Sequence, residues 1–220
     1  MTLESVGILI ALRAFDERNA VAHVFSREYG VMTGMLRGAV TTRTNRPLVG
    51  QVGNVSWNAR IESALGVFHW EPEKNLAAPI MTSADALGAM NAAFDLICTM
   101  VPARESYANL YKETIRLLGT LAHTTDPGAT YLDWEIKLIG ELGYAFDLSH
   151  CSGCGGTENL HYISPRTARA VCDDCAAPYI SHLYRMPVGL STTFAFLNKI
   201  CAEMGATMPD SRRMMAAKKF

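Results

Sequence analysis

The longest stretches of this chain without Asp, Glu, Lys or Arg run for thirteen residues, 47–59 and 186–198. A helix crossing a bilayer needs about 20 apolar residues, so no membrane span is expected. The opening MTLESVGILI has no basic start and Arg13 cuts its apolar run short, so no secretory leader is expected either. Net charge is also missing, since 20 basic residues face 21 acidic ones and bulk charge points to no polyanionic partner. The sequence holds no GxxxxGK[ST] phosphate loop, no HExxH helix and no GxSxG elbow, which removes the common signatures of nucleotide-driven work, metalloprotease chemistry and serine hydrolysis. Repeats and low-complexity tracts are absent as well. The expectation is a cytoplasmic protein that is not an enzyme.

What is present is enough for a folded core. Apolar residues make up 49% of the 220, which argues against disorder. Charge is uneven along the chain. Residues 1–75 carry eight Lys and Arg against seven Asp and Glu, residues 76–150 four against nine, and residues 151–220 eight against five. An acidic middle therefore separates two weakly basic ends.

The first 75 residues read as strands. VGILIAL alternates Val6, Ile8, Ile10 and Leu12 on one face, and AVAHVFSREYG, VMTGMLRGA, GQVGNVSWNAR and LGVFHWEP follow between turn residues. Five short strands with glycine-rich punctuation predict a small closed barrel over 1–75, of OB-fold type, with an SH3-like barrel almost as good on spacing alone. NLAAPIMTS is the expected joint. From there the period turns helical, with Leu87, Met90, Phe94, Ile97 and Val101 on one stripe and Tyr107, Leu110, Tyr111, Leu117, Leu118 and Leu121 on another. DPGATYLDWEIKLIGELGY predicts a helix capped by Asp126, with Pro127 at its first position, a capping box of Thr130 and Asp133, and Gly143 at its end. Phe194, Leu197, Cys201 and Met204 mark a last helix, and DSRRMMAAKKF looks too short to supply another. The fold class is α+β, an N-terminal barrel followed by a helical domain over 76–220.

The cysteines carry the sharpest chemistry. CSGCGGTENLHYISPRTARAVCDDC sets Cys151 and Cys154 in one CxxC pair and Cys172 and Cys175 in a second. Two such knuckles on a hairpin make a tetrahedral four-thiolate zinc site, which is coordinatively closed and therefore structural. A zinc module is expected over about 148–180, its hairpin presenting Arg166 and Arg169. His150 and His161 lie nearby, but four thiolates leave them no vacancy, and they read as surface residues. Cys98 and Cys201 read as small buried hydrophobes. His69-Trp70-Glu71 has the HxE form of zinc deaminases, but Val171 precedes Cys172 and no PCxxC accompanies it.

Arginines cluster on the predicted barrel. Seven of them (Arg13, Arg18, Arg27, Arg37, Arg43, Arg46 and Arg60) lie between residues 13 and 60, against three acids and no lysine. Arginine forks onto phosphate and stacks on bases, so a barrel bearing this set is a candidate for nucleic acid. Arg37, Arg43 and Arg46 share the loop LRGAVTTRTNRP. Trp57, Phe68 and Trp70 read as barrel core.

Taken together, GILIALRAFDERNAVAHVFSREYGVMTGMLRGA, the acidic helical middle, and the run from WEIKLIGELGYAFDLSHCSGCG through YISPRTARAVCDDCAAPY resemble the RecO family of bacterial DNA-repair proteins. The resemblance covers roughly residues 4–190. It implies an OB-fold followed by a helical domain with a zinc module. It further implies a recombination mediator that binds single- and double-stranded DNA, anneals complementary strands, and works in the RecFOR pathway with RecR and the single-strand-binding protein to load RecA. Its expected place is the cytoplasm, at the nucleoid. The family often follows GA with a dense basic run, which GAVTTRTNRP dilutes. Arg13, Arg18, Arg27, Arg37, Arg43, Arg46, Arg166 and Arg169 are the candidate DNA contacts. The competing expectation is a zinc-stabilised interaction adaptor that binds DNA weakly or not at all.

Overall fold

Strand β1 (Thr2–Ala14) lies between two cores. Leu9 points into one, and Ile8 and Ile10 into the other. All three are buried, since alternation turns Leu9 to one side and Ile8 and Ile10 to the other. The bulge between Leu9 and Ala11 then shifts the period, so that Leu12 packs with Leu9 against the barrel core and not, as expected, on the face of Ile8 and Ile10. The structure, a computed structural model, describes residues 1–41, 46–60 and 65–217.

Four more strands complete the N-terminal unit: β2 (Ala20–Ser26), β3 (Gly30–Leu36), β4 (Gln51–Asn58) and β5 (Gly66–Asn75). Their pairings run β1–β2–β3–β5–β4 and return to β1, which closes the expected five-strand barrel. All neighbours are antiparallel except β3 and β5, which pair in parallel over Gly34–Leu36 and Gly66–Phe68. The inside is filled by Leu9, Val24, Met32, Val55, Trp57, Phe68 and Trp70, so the barrel aromatics are core as expected. Trp57 Nε1 donates to the Thr33 carbonyl at 3.0 Å, which satisfies the one polar atom of that ring. Gly66 makes room for it, since a Cβ there would stand 2.1 Å from the indole.

The joint falls where NLAAPIMTS places it. Asn75 ends β5, and its side-chain oxygen accepts from the N–H groups of Ala77 and Ala78 to start α1 (Ala77–Ile80). Helix α2 (Ala84–Met100) is capped by Ser83, and α3 (Ala108–Leu121) follows with the predicted stripe buried from Leu110 to Leu121, while Tyr107 lies half-buried just before the helix. Helix α4 (Pro127–Ile139) starts at Asp126, whose carboxylate accepts from the Ala129 N–H at 2.9 Å. Thr130 and Asp133 do not form a capping box. Both lie inside α4, and Thr130 Oγ1 donates back to the Asp126 carbonyl. The helix runs out through a π-type turn at Gly140–Tyr144, where Gly143 takes φ +94°, a left-handed conformation suited to glycine.

The four-cysteine module inserts a small sheet into the helical domain. Its order is β7 (Ala170–Cys172), β6 (Leu160–Ile163), β8 (Tyr184–Arg185), with α5 (Asp173–Ala176) after β7. Strands β7 and β8 are too short to show a period in sequence. Helix α6 (Leu190–Glu203) is the predicted late helix. The expectation that no further helix follows is wrong: Asp210–Ala217 forms α7, which packs on α2 and α6. Its Arg212 is fully buried, and its Nη2 donates to Glu135 Oε2 at 2.8 Å and to the Leu190 carbonyl at 2.8 Å. Tyr131 donates to the same Glu135 carboxylate at 2.7 Å. A charged side chain therefore closes the centre of the helical core, and only its paired carboxylate makes that tolerable.

The helical core reaches onto the barrel. Ile8, Ile10, Phe25 and Val31, on the outer face of β1, β2 and β3, belong to the same packed cluster as Phe94, Ile97, Leu118, Tyr131 and Phe196.

Candidate metal centre and the basic end of the barrel

The four cysteines converge. One sulfur from each of Cys151, Cys154, Cys172 and Cys175 lies within 4.8 Å of all the others. Cys154 and Cys172 are 3.7 Å apart. A tetrahedron with metal–sulfur bonds of about 2.3 Å has edges of about 3.8 Å, so the spacing suits an ion and is far beyond a disulfide bond. Among the described residues this is the one cluster of His, Cys, Asp and Glu with metal-site geometry.

Local backbone chemistry builds it. The Cys151 N–H donates to the Gly156 carbonyl at 2.7 Å and the Gly155 N–H to the Cys151 carbonyl at 2.9 Å, closing the first knuckle around Gly155 at φ +77°. Gly153 sits against the sulfurs, where a Cβ would lie 2.9 Å from Cys175 Sγ. N–H groups of Cys172, Cys154 and Gly153 point at the Cys151 sulfur and pull its pKa down to about 6, which prepares one thiolate. The other sulfurs push the Cys175 thiol up to about 12, led by Cys172. Four thiolates at this spacing repel one another, and a divalent cation is the natural counter-charge.

The module has its own small core of Cys151, Tyr162, Val171, Cys172 and Ala176, with Leu160, Cys175 and Leu183 against it. His161 is exposed and pairs with Asp173 at 2.9 Å, and His150 lies 3.8 Å from Asp147, so both histidines have partners outside the sulfur cluster. Cys98 and Cys201 stand apart from the cluster on helices α2 and α6, and burial pushes the Cys98 thiol up to about 12. His69 and Glu71 lie exposed on β5, 3.1 Å from each other and outside the cysteine cluster.

The candidate arginines divide into three groups. Arg13 is exposed at the end of β1, Arg18 in the β1–β2 turn, Arg37 just after β3, and Arg46 further along the β3–β4 loop. The turn and the loop are joined: the Val40 N–H donates to the Arg18 carbonyl at 3.1 Å and the Gly38 N–H to Asn19 Oδ1 at 3.1 Å. Arg18 and Arg37 thus share one end of the barrel. Asp16 in this turn is occupied, since it accepts from the N–H groups of Arg18 and Asn19 and from the Asn19 amide. Arg43 lies outside the described residues. Arg27 is in the β2–β3 turn at the other end of these strands, 2.6 Å from Glu28, and its carbonyl accepts from Ser106. On the metal module Arg166 is exposed, while Arg169 is held by Asp147 at 3.1 Å. Sequence spacing found the arginines but not their grouping, which depends on the joined turn and loop.

Comparison with known proteins agrees with this layout. The family described as "Recombination protein O C terminal" matches residues 81–202. Proteins named "DNA repair protein RecO" are similar along most of the chain. The one from Dinoroseobacter shibae is 32% identical over 223 residues, covering 94% of this chain and 92% of that protein. Those from Ruegeria sp. and Roseobacter denitrificans are 34% and 35% identical, each covering 82% of this chain and 76% of the relative. The match runs through the knuckles and helices just described, and this chain belongs to the RecO family.

Proposed function

We propose that the protein acts in DNA repair as a recombination mediator that binds single- and double-stranded DNA, anneals complementary strands, and helps load RecA with RecR and the single-strand-binding protein. Family membership supports the repair role. The observation that carries DNA binding is the end of the barrel where Arg18 and Arg37 are brought together by the hydrogen-bonded turn and loop, with Arg13 at the end of β1 before the turn and Arg46 further along the loop. These side chains suit phosphate neutralisation, which is independent of base sequence. Zinc is the ion the four thiols suit best, and it would hold the module together without touching substrate. No turnover is expected, because four thiolates leave the ion no open position. The place of action is the cytoplasm, at the nucleoid.

A salt titration tests this. Each phosphate neutralised on a single strand contributes about −0.7 to the slope of log K against log salt. Replacing Arg18, Arg37 and Arg46 together by Ala should flatten the slope by about two units on two unrelated strands alike. An unchanged slope and affinity would favour the adaptor reading. That reading draws on Tyr179 and Ile180, which stand exposed just beyond Cys175.

A further inference from the structure

The outer face of β1, β2 and β3 is only half covered. At one end Phe25 and Val31 are buried against the helices, with Tyr111 5.7 Å from Phe25. Toward the arginine end two rows stay at the surface. Arg13, Val21 and Met35 are aligned across the three strands in one row, and Ala11, His23 and Thr33 in the next. His23 is therefore the titratable residue at the border between the covered and open parts, with Arg18 and Arg37 beyond the open end.

The charged group acting on His23 is Arg13. On β1 its pair partner is Ala11, with Arg13 in the neighbouring row, and on β3 it is Thr33, whose hydroxyl lies 3.2 Å from His23 Nδ1. Across Arg13, helix α2 brings Asp95 and Cys98, the latter with its thiol held protonated. Arg104 lies over the Trp57 ring, whose Nε1 donates to the Thr33 carbonyl. Among the described residues the influences on the imidazole are burial first and then Arg13, and both lower its pKa. The free protein thus disfavours the charged form of His23, which lies next to a cation on an open strip leading to the basic end.

We propose that His23 is a phosphate-binding residue of this strip, which takes up a proton when a single strand crosses β1, β2 and β3 between the helices and the arginine-bearing end. This rests on the DNA-binding reading above. The physics follows from charge. A phosphate arriving beside Arg13 cancels the field that disfavours imidazolium, and its oxygen accepts a hydrogen bond from the ring that is stronger when the ring is charged. Binding then raises the pKa of His23, so affinity is full below the free-state value and falls as pH rises through the bound-state value.

The test measures anisotropy of a labelled oligothymidylate with the full chain at about pH 6 and about pH 8, at fixed salt. The parent should bind roughly tenfold more weakly at the higher pH, and His23→Gln should bind with one affinity at both, close to the parent at the higher pH. A parent with equal affinities at the two pH values, or a His23→Gln protein that keeps the parent's pH dependence, overturns the proposal while leaving DNA binding intact. A parent that binds at neither pH overturns the DNA-binding reading itself. Independently of any variant, the imidazole resonance of His23 in the unaltered protein should titrate at higher pH with the oligonucleotide than without it, and an unshifted titration also overturns the proposal.

Discussion

At the scale of single residues, glycine and cysteine set the candidate metal site together. The sulfurs fix the chemistry, but Gly153 fixes the room they need, since a side chain there would press on Cys175 Sγ from 2.9 Å. Gly153→Ala should fold and still bind zinc, about tenfold more weakly, as measured by competition with a chromogenic chelator; disturbances just outside a ligand set cost about this much. Cys172→Ser should release the metal outright. Loss of the ion should loosen the module core around Tyr162 and Val171 while leaving Trp57 fluorescence unchanged, because Trp57 lies within the separate barrel core. Purified protein without zinc, or with disulfides among these four cysteines, would end this account. The CxxC spacing made the site legible in sequence because each knuckle is a local structure. The role of Gly153 was not legible, because it depends on Cys175, which arrives from the other knuckle.

At the scale of elements, strands and helices were legible wherever a period had room to show. The five barrel strands and the stripes of α2, α3 and α6 follow the alternation and the three-to-four spacing of their apolar residues. Helix α7 escaped, because DSRRMMAAKKF offers little apolar period and its central anchor is an arginine, a residue type that is almost never buried unless paired. Its partner Glu135 comes from α4, far away in sequence. Both side chains are fully buried, so Arg212→Met should leave an uncompensated carboxylate and cost about 3–5 kcal/mol in urea unfolding. Adding Glu135→Leu should recover most of that loss, because an apolar pair of similar volume avoids the desolvation penalty. If the double variant were no more stable than the single one, the unpaired buried carboxylate would not be the source of the loss.

At the scale of the whole molecule, a barrel followed by helices suggests two units in series, yet the packing joins them. Strand β1 turns Leu9 inward and Ile8 and Ile10 outward, and the outward pair lies with Phe25 and Val31 in the core of the helical domain. Strand β6 plays the same part at the other end, giving Tyr162 to the metal module and Ile163 to the helical core. Three cores are thus pinned together by two strands, each buried on both faces. Sequence alternation put Val6, Ile8, Ile10 and Leu12 on one face, which holds for Ile8 and Ile10 but fails at Leu12 past the bulge, and it could not say that the opposite face was buried as well. The consequence is that residues 1–75 should not behave as a free domain. Separated from the helices, the barrel would expose Ile8, Ile10, Phe25 and Val31 as a contiguous apolar face, the kind of surface that drives association. The fragment should therefore sediment as oligomers or aggregate, and replacing Ile10 and Phe25 by Thr should restore a monomer. In the full chain the same two replacements should destabilise the protein instead, since there they remove side chains from a packed core. A wild-type fragment that sediments as a folded monomer would show that the shared core is a contact between independent domains. The half-covered strip carrying His23 would then no longer be held in a fixed position beside the helices, and the path proposed for the DNA strand would lose its wall.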